Sequence, residues 1–138
     1  MRQMGDIIRD QNPLMLPPTA SVKDACREMR ERRVGAVLVC DDECRLLGIF
    51  TGRDAVGRVV AEGRDPEHTC LRDVMTGDPR VLPPTNLAIE ALRLMQDHGC
   101  RHVPVVEQDK VVGIVSHGDF KGLEQARLDE ETGLWERI

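Results

Sequence analysis

The stretch Gly48-Ile49-Phe50-Thr51-Gly52-Arg53-Asp54 returns once in the chain, as Gly113-Ile114-Val115-Ser116-His117-Gly118-Asp119. A duplication constrains the fold strongly, because both copies must build the same local structure from different side chains. In each copy an apolar run ends at a hydroxyl residue, with an acid three positions later, the pattern of a strand running into a helix start. A helix start carries unpaired N–H groups and the positive end of the helix dipole, so it suits an anion such as phosphate. The plainer alternative is a capping box, in which Thr51 or Ser116 caps the helix and Asp54 or Asp119 reaches back to the cap N–H.

The repeat extends in both directions. Pro83-Pro84-Thr85 lies 66 positions after Pro17-Pro18-Thr19, and Ala91, Arg93, Met95, Val103 and Val105 match Ala25, Arg27, Met29, Val37 and Val39 at that spacing. The spacing falls to 65 at Gly48 and Gly113 because the second turn is one residue shorter, a change a hairpin tip tolerates. Val74 and Pro79 stand where Ile8 and Pro13 do.

Within the first copy, Val22, Ala25, Cys26 and Met29 fall at helical spacing behind a candidate N-cap, Ser21. Ala36–Cys40 reads as a buried strand, and Leu46–Phe50 as its hairpin partner. A helix carrying Ala55, Val56, Val59 and Val60 then runs toward Gly63. The expected fold is α+β: two βαββα units over residues 7–63 and 70–122, related by pseudo-twofold symmetry, with a linker at 64–69 and a helical tail at 123–138 bearing Trp135. His98 falls at the C-terminal end of the second unit's first helix, beside the stop signal Gly99.

Composition narrows the function. With two Phe, one Trp and no Tyr, the chain has little to stack against bases, and 24 acidic against 19 basic residues give a net charge of −5. Both features argue against nucleic acid as a partner. The apolar runs are only strand-length and no signal-peptide pattern opens the chain, so no membrane association and a cytoplasmic location are expected. The five cysteines include no Cys-x-x-Cys pair. Cys40 and Cys44 with Cys100 and His102 form a loose candidate metal set, whose spacing is wider than that of zinc motifs, and no metal is expected.

The paired βαββα units, each ending in Gly-hydrophobic-x-Thr/Ser-x-x-Asp, resemble a tandem cystathionine-β-synthase (CBS) domain pair, or Bateman module. Asp73-Val74-Met75-Thr76 and His102-Val103-Pro104-Val105-Val106 add to the likeness, which covers nearly the whole chain. The resemblance implies a standalone regulatory module, not an enzyme, that needs no cofactor and binds adenine nucleotides or other adenosyl compounds in clefts between its units. It also implies a homodimer that acts on an unidentified protein partner. A ligand-free interaction module is the alternative.

Carried onto this chain, the resemblance assigns one site to Thr51, Gly52, Arg53 and Asp54 with Arg101, His102, Val103 and Pro104. It assigns the other to Ser116, His117, Gly118 and Asp119 with Gly35, Ala36, Val37 and Leu38. The acid would hold ribose hydroxyls and the helix start a phosphate, chemistry that carboxylates and helix dipoles support. Arg53, Arg101 and His102 make the first site the more cationic, which favours it for phosphorylated ligands. Catalysis is not expected: Cys100 and His102, or Ser116 and His117, are neighbours in sequence, but no nucleophile motif surrounds them.

Overall fold

In the computed structural model, which describes residues 2–120, the elements are α1 (Met4–Ile8), β1 (Met15–Leu16), α2 (Val22–Arg32), β2 (Ala36–Cys40), β3 (Leu46–Thr51), α3 (Gly52–Asp54), α4 (Leu71–Val74), β4 (Thr76–Gly77), α5 (Ala88–His98), β5 (His102–Glu107) and β6 (Lys110–Ser116). Short 3-10 turns form at Pro66–His68 and His117–Asp119. The expected tail and Trp135 lie outside the described residues. Two packed units result: an early one of residues 12–79 with 108–111, and a late one of residues 2–11, 80–107 and 112–120.

The helices begin and end where local chemistry requires. Ser21 accepts a hydrogen bond from the Asp24 N–H at 3.1 Å and so caps α2. Both long helices stop at a left-handed residue, Arg33 after α2 and Gly99 after α5. Each buries the face that its periodicity defines, with Val22, Ala25 and Met29 in α2 and Ala88, Ala91, Leu92 and Met95 in α5.

The early unit holds a four-stranded sheet in the order β1-β2-β3-β4. β1 runs parallel to β2 (Met15 opposite Leu38), while β3 is antiparallel to both β2 (Val37 opposite Phe50) and β4 (Ile49 opposite Thr76). All five residues of β2 are buried, as an apolar strand covered on both faces must be. The core joins Leu14, Val22, Ala25, Val37, Val39, Phe50, Leu71 and Val74.

The late unit repeats this with a two-stranded sheet, β5-β6, and a core of Met4, Ile8, Ala88, Leu92, Val103, Val105 and Val115. Where β4 pairs with β3, the late unit uses one side chain: the Gln11 amide donates to the Ile114 carbonyl at 2.7 Å and accepts from the Ile114 N–H at 2.9 Å. That two-point contact imitates a strand edge. Residues 71–77 therefore pack with the segment that precedes them, and residues 2–11 with the segment around α5.

The helix after β3 departs from regular α-helical geometry. Residues Ala55–Val60 widen into a π-helical turn, with the Ala61 N–H bonded to the Val56 carbonyl. Val59 is buried, but Val56 and Val60 are 65% and 73% exposed.

Candidate functional site

β3 ends at Thr51 in an extended conformation (φ −121°, ψ 170°), and Gly52 opens the helix. The Thr51 N–H donates to Asp54 Oδ2 at 3.0 Å, the Thr51 hydroxyl donates to the same oxygen at 3.3 Å, and the Asp54 N–H donates to Thr51 Oγ1 at 3.4 Å. This is the reciprocal capping box. The other oxygen, Oδ1, accepts from the Thr76 hydroxyl at 3.3 Å and faces Arg58 Nε at 3.5 Å. Arg58 is itself anchored, since its Nη1 donates to the Met75 carbonyl at 2.7 Å. Asp54 is thus 7% exposed with partners on both oxygens.

The late copy has the same box with fewer attachments. The Ser116 N–H and hydroxyl donate to Asp119 Oδ2 at 2.8 and 3.2 Å. Asp119 is half-buried, and among the described residues its Oδ1 takes no hydrogen bond. Arg2 Nη2 donates to the Asp119 backbone carbonyl at 3.1 Å.

Each helix start is tied to the strand start of its own unit. The Gly52 N–H donates to the Gly35 carbonyl at 3.3 Å, and the His117 N–H to the Arg101 carbonyl at 2.8 Å. The early unit therefore gathers Thr51–Asp54 with Gly35, and the late unit gathers Ser116–Asp119 with Arg101 and His102. Burial lowers the His102 pKa, Arg101 lowers it further, and Asp119 acts in the opposite direction. Of the strand residues, Val37 and Val103 place their side chains fully in the cores and offer a ligand only backbone groups. Part of that backbone is already committed: the Leu38 N–H donates to Leu14, and the Pro104 carbonyl accepts from Leu82.

Space remains over the early helix start. A β-carbon built on Gly52 would meet nothing within 4 Å, and one on Gly118 would meet only Ser116 Oγ at 3.9 Å. Among the described residues no group of three or more His, Cys, Asp or Glu is arranged to hold a metal, so the loose Cys40, Cys44, Cys100 and His102 set gains no support. Also among them, no helix is long and apolar enough to cross a membrane. The sequence reading missed Arg58 altogether and gave Thr76 no role. Thr76 stood in the Asp73–Thr76 mark, but its bond to Asp54 depends on β4 pairing beside β3.

Comparison with known proteins agrees with this architecture. The family model described as "CBS domain" matches residues 4–61 and 71–123. The CBS domain-containing protein CBSCBSPB2 of Arabidopsis thaliana is 44% identical over 108 residues, covering 78% of this chain and 20% of that protein. Methanopyrus kandleri MK0525 is 33% identical over 133 residues, covering 93% of this chain and 67% of its own. The chain spans about a fifth of the length of the Arabidopsis relatives CBSCBSPB1 to CBSCBSPB3.

Among solved structures, a signal-transduction protein with CBS domains from Burkholderia ambifaria superposes with a TM-score of 0.79 at 30% identity, covering 85% of this chain and 89% of that one. Pyrobaculum aerophilum PAE2072, complexed with AMP, superposes with a TM-score of 0.83 at 24% identity, covering 93% and 98%. One family match on each copy of the repeat, over the same elements that build the two capping boxes, shows that the chain belongs to the CBS domain family.

Proposed function

We propose that the chain is a regulatory module, not an enzyme, that binds an adenine nucleotide or related adenosyl compound and passes its occupancy to another protein. One or both of the Thr51–Asp54 and Ser116–Asp119 elements would receive the ribose and phosphate. Arg101, His102, Val103 and Pro104, and Gly35, Ala36, Val37 and Leu38, would supply the strand groups that face the base. The observation that carries this reading is the duplicated carboxylate, held three residues beyond a strand end beside a first turn that leaves space at Gly52 in one copy and Gly118 in the other. A carboxylate accepts from vicinal hydroxyls, while the N–H groups of the turn favour an anion. The complex of PAE2072 with AMP is a precedent for the fold.

Thermal unfolding with AMP, ADP, ATP, S-adenosylmethionine, NAD and a GTP control tests it. A ligand at about a hundred times its Kd adds about 2.7 kcal/mol, which raises the melting temperature by several degrees. A rise with an adenosyl ligand supports the reading, and no rise with any of them overturns it.

Val56 and Val60 favour a second reading, an interaction module that pairs with a second chain through apolar helix surface. It predicts a melting temperature that rises with protein concentration and a homodimer by light scattering, both weakened by Val60→Glu.

A further inference from the structure

The two acids that repeat in sequence differ in what already occupies them. Asp54 has both carboxylate oxygens engaged: Oδ2 by the Thr51 N–H and hydroxyl, and Oδ1 by the Thr76 hydroxyl and the Arg58 guanidinium. Asp119 has Oδ2 engaged by Ser116 and no hydrogen bond to Oδ1 among the described residues. Holding two neighbouring ribose hydroxyls requires a carboxylate with acceptor capacity to spare. A ligand reaching Asp54 would have to displace Thr76 and Arg58 from a nearly buried group, and those donors would then need new partners.

The difference is written into the repeat. At the offset that matches Val74 with Ile8, the counterpart of Thr76 is Asp10, which offers no hydroxyl, and at the offset of the Gly48 stretch the counterpart of Arg58 is Leu123, which offers no charge. Gln11 satisfies the edge at Ile114 without touching the acid. We propose that Thr76 and Arg58 hold Asp54 shut, so that this chain takes an adenosyl ligand at Asp119 and binds one ligand per chain. Charge alone ranks the Arg53 element first, whereas hydrogen bonding reverses that order. The inference rests on the adenosyl-binding reading above and adds which acid is used and what closes the other.

Titration calorimetry of the full chain with AMP tests it. The parent is expected to bind one AMP, and Asp119→Asn to weaken that binding at least tenfold while circular dichroism shows the fold kept. Thr76→Val and Arg58→Gln, each removing one of the two donors on Oδ1, should each raise the stoichiometry toward two, and Thr76→Ser, which keeps the hydroxyl, should leave it at one. Two sites in the parent, unchanged affinity in Asp119→Asn, or one site in both release variants would each overturn the proposal while leaving the chain an AMP binder. No binding by the parent would overturn this proposal and remove AMP from the broader reading. Arg58 is exposed at the surface, so its variant reports even where Thr76→Val disturbs β4.

Discussion

Gly113 lies so close to Ile8 that a β-carbon on the glycine would stand 2.6 Å from the Ile8 Cβ and 2.7 Å from its Cγ2. Its repeat partner, Gly48, is crowded in the same way, with the Met75 sulfur at 2.6 Å and the Thr76 carbonyl oxygen at 2.8 Å. In both units, a lead-in segment presses on the strand that ends at the capping box. Gly113→Ala and Gly48→Ala should each destabilise by about 1–3 kcal/mol through overpacking, with Gly48→Ala at the upper end because backbone cannot step aside as a side chain can. Urea unfolding measures both, and a cost near zero at either position would show that the lead-in yields.

This closeness explains a feature the sequence displayed without its reason. The repeated glycines were visible, as were the helix faces, the buried strand at Ala36–Cys40 and the caps, because each follows from local period or local hydrogen bonding. The contact of Arg58 with Asp54 follows the local i,i+4 spacing of a helix, whereas the attachment of Thr76 to Asp54 was not visible. It depends on β4 pairing with Gly48 and Ile49, a contact between residues more than 25 positions apart in sequence. The helix carrying Ala55, Val56, Val59 and Val60 was legible too, but neither its π-widening nor the exposure of Val56 and Val60 was. Of the candidate site, the carboxylates and their hydroxyl partners were legible, whereas the inequality of the two acids was not.

Arg33 ends α2 at φ 55°, while Gly99 ends α5 at φ 66°. A side chain in that left-handed region costs about 1–2 kcal/mol, and glycine escapes the cost. Arg33→Gly should therefore stabilise the chain by up to about 1 kcal/mol, and Gly99→Ala should destabilise it by a similar amount. Opposite shifts in the urea midpoint would confirm that these two positions are one device in two copies. Shifts of the same sign would refute it.

Stability should fall on acidification through His102. Burial is the main cause of its lowered pKa, with Arg101 adding to it, so the folded chain holds the imidazole neutral where the unfolded chain would protonate it. The unfolded state then binds more protons below about pH 6.5, and the stability present above that value is lost as pH falls toward the folded pKa. His68 works in the other direction, because the hydrogen bond it donates to the Asp65 carboxylate raises its pKa, but that pair is exposed to solvent. The melting temperature should drop between pH 7.5 and pH 5.5, and His102→Gln should flatten the drop. An unchanged slope in that variant would assign the acid sensitivity to other groups.

Cys40 and Cys44 flank one hairpin turn and should differ sharply in reactivity. Burial, with smaller contributions from Cys44 and Asp41, pushes the Cys40 thiol up to about 11, and its Sγ lies 3.8 Å from the Leu38 carbonyl inside the sheet. Cys44 is exposed on the turn. Since the thiolate is the nucleophile, iodoacetamide at pH 7.5 should label Cys44 in the folded chain and reach Cys40 only when β2 and β3 separate. Mass spectrometry of timed samples reads both. Labelling of Cys40 would then serve as a clock for opening of the strand pair that carries Thr51, and a bound ligand that tightens that pair should slow it. If Cys40 were labelled as fast as Cys44 in the folded chain, its burial at the end of β2 would be wrong.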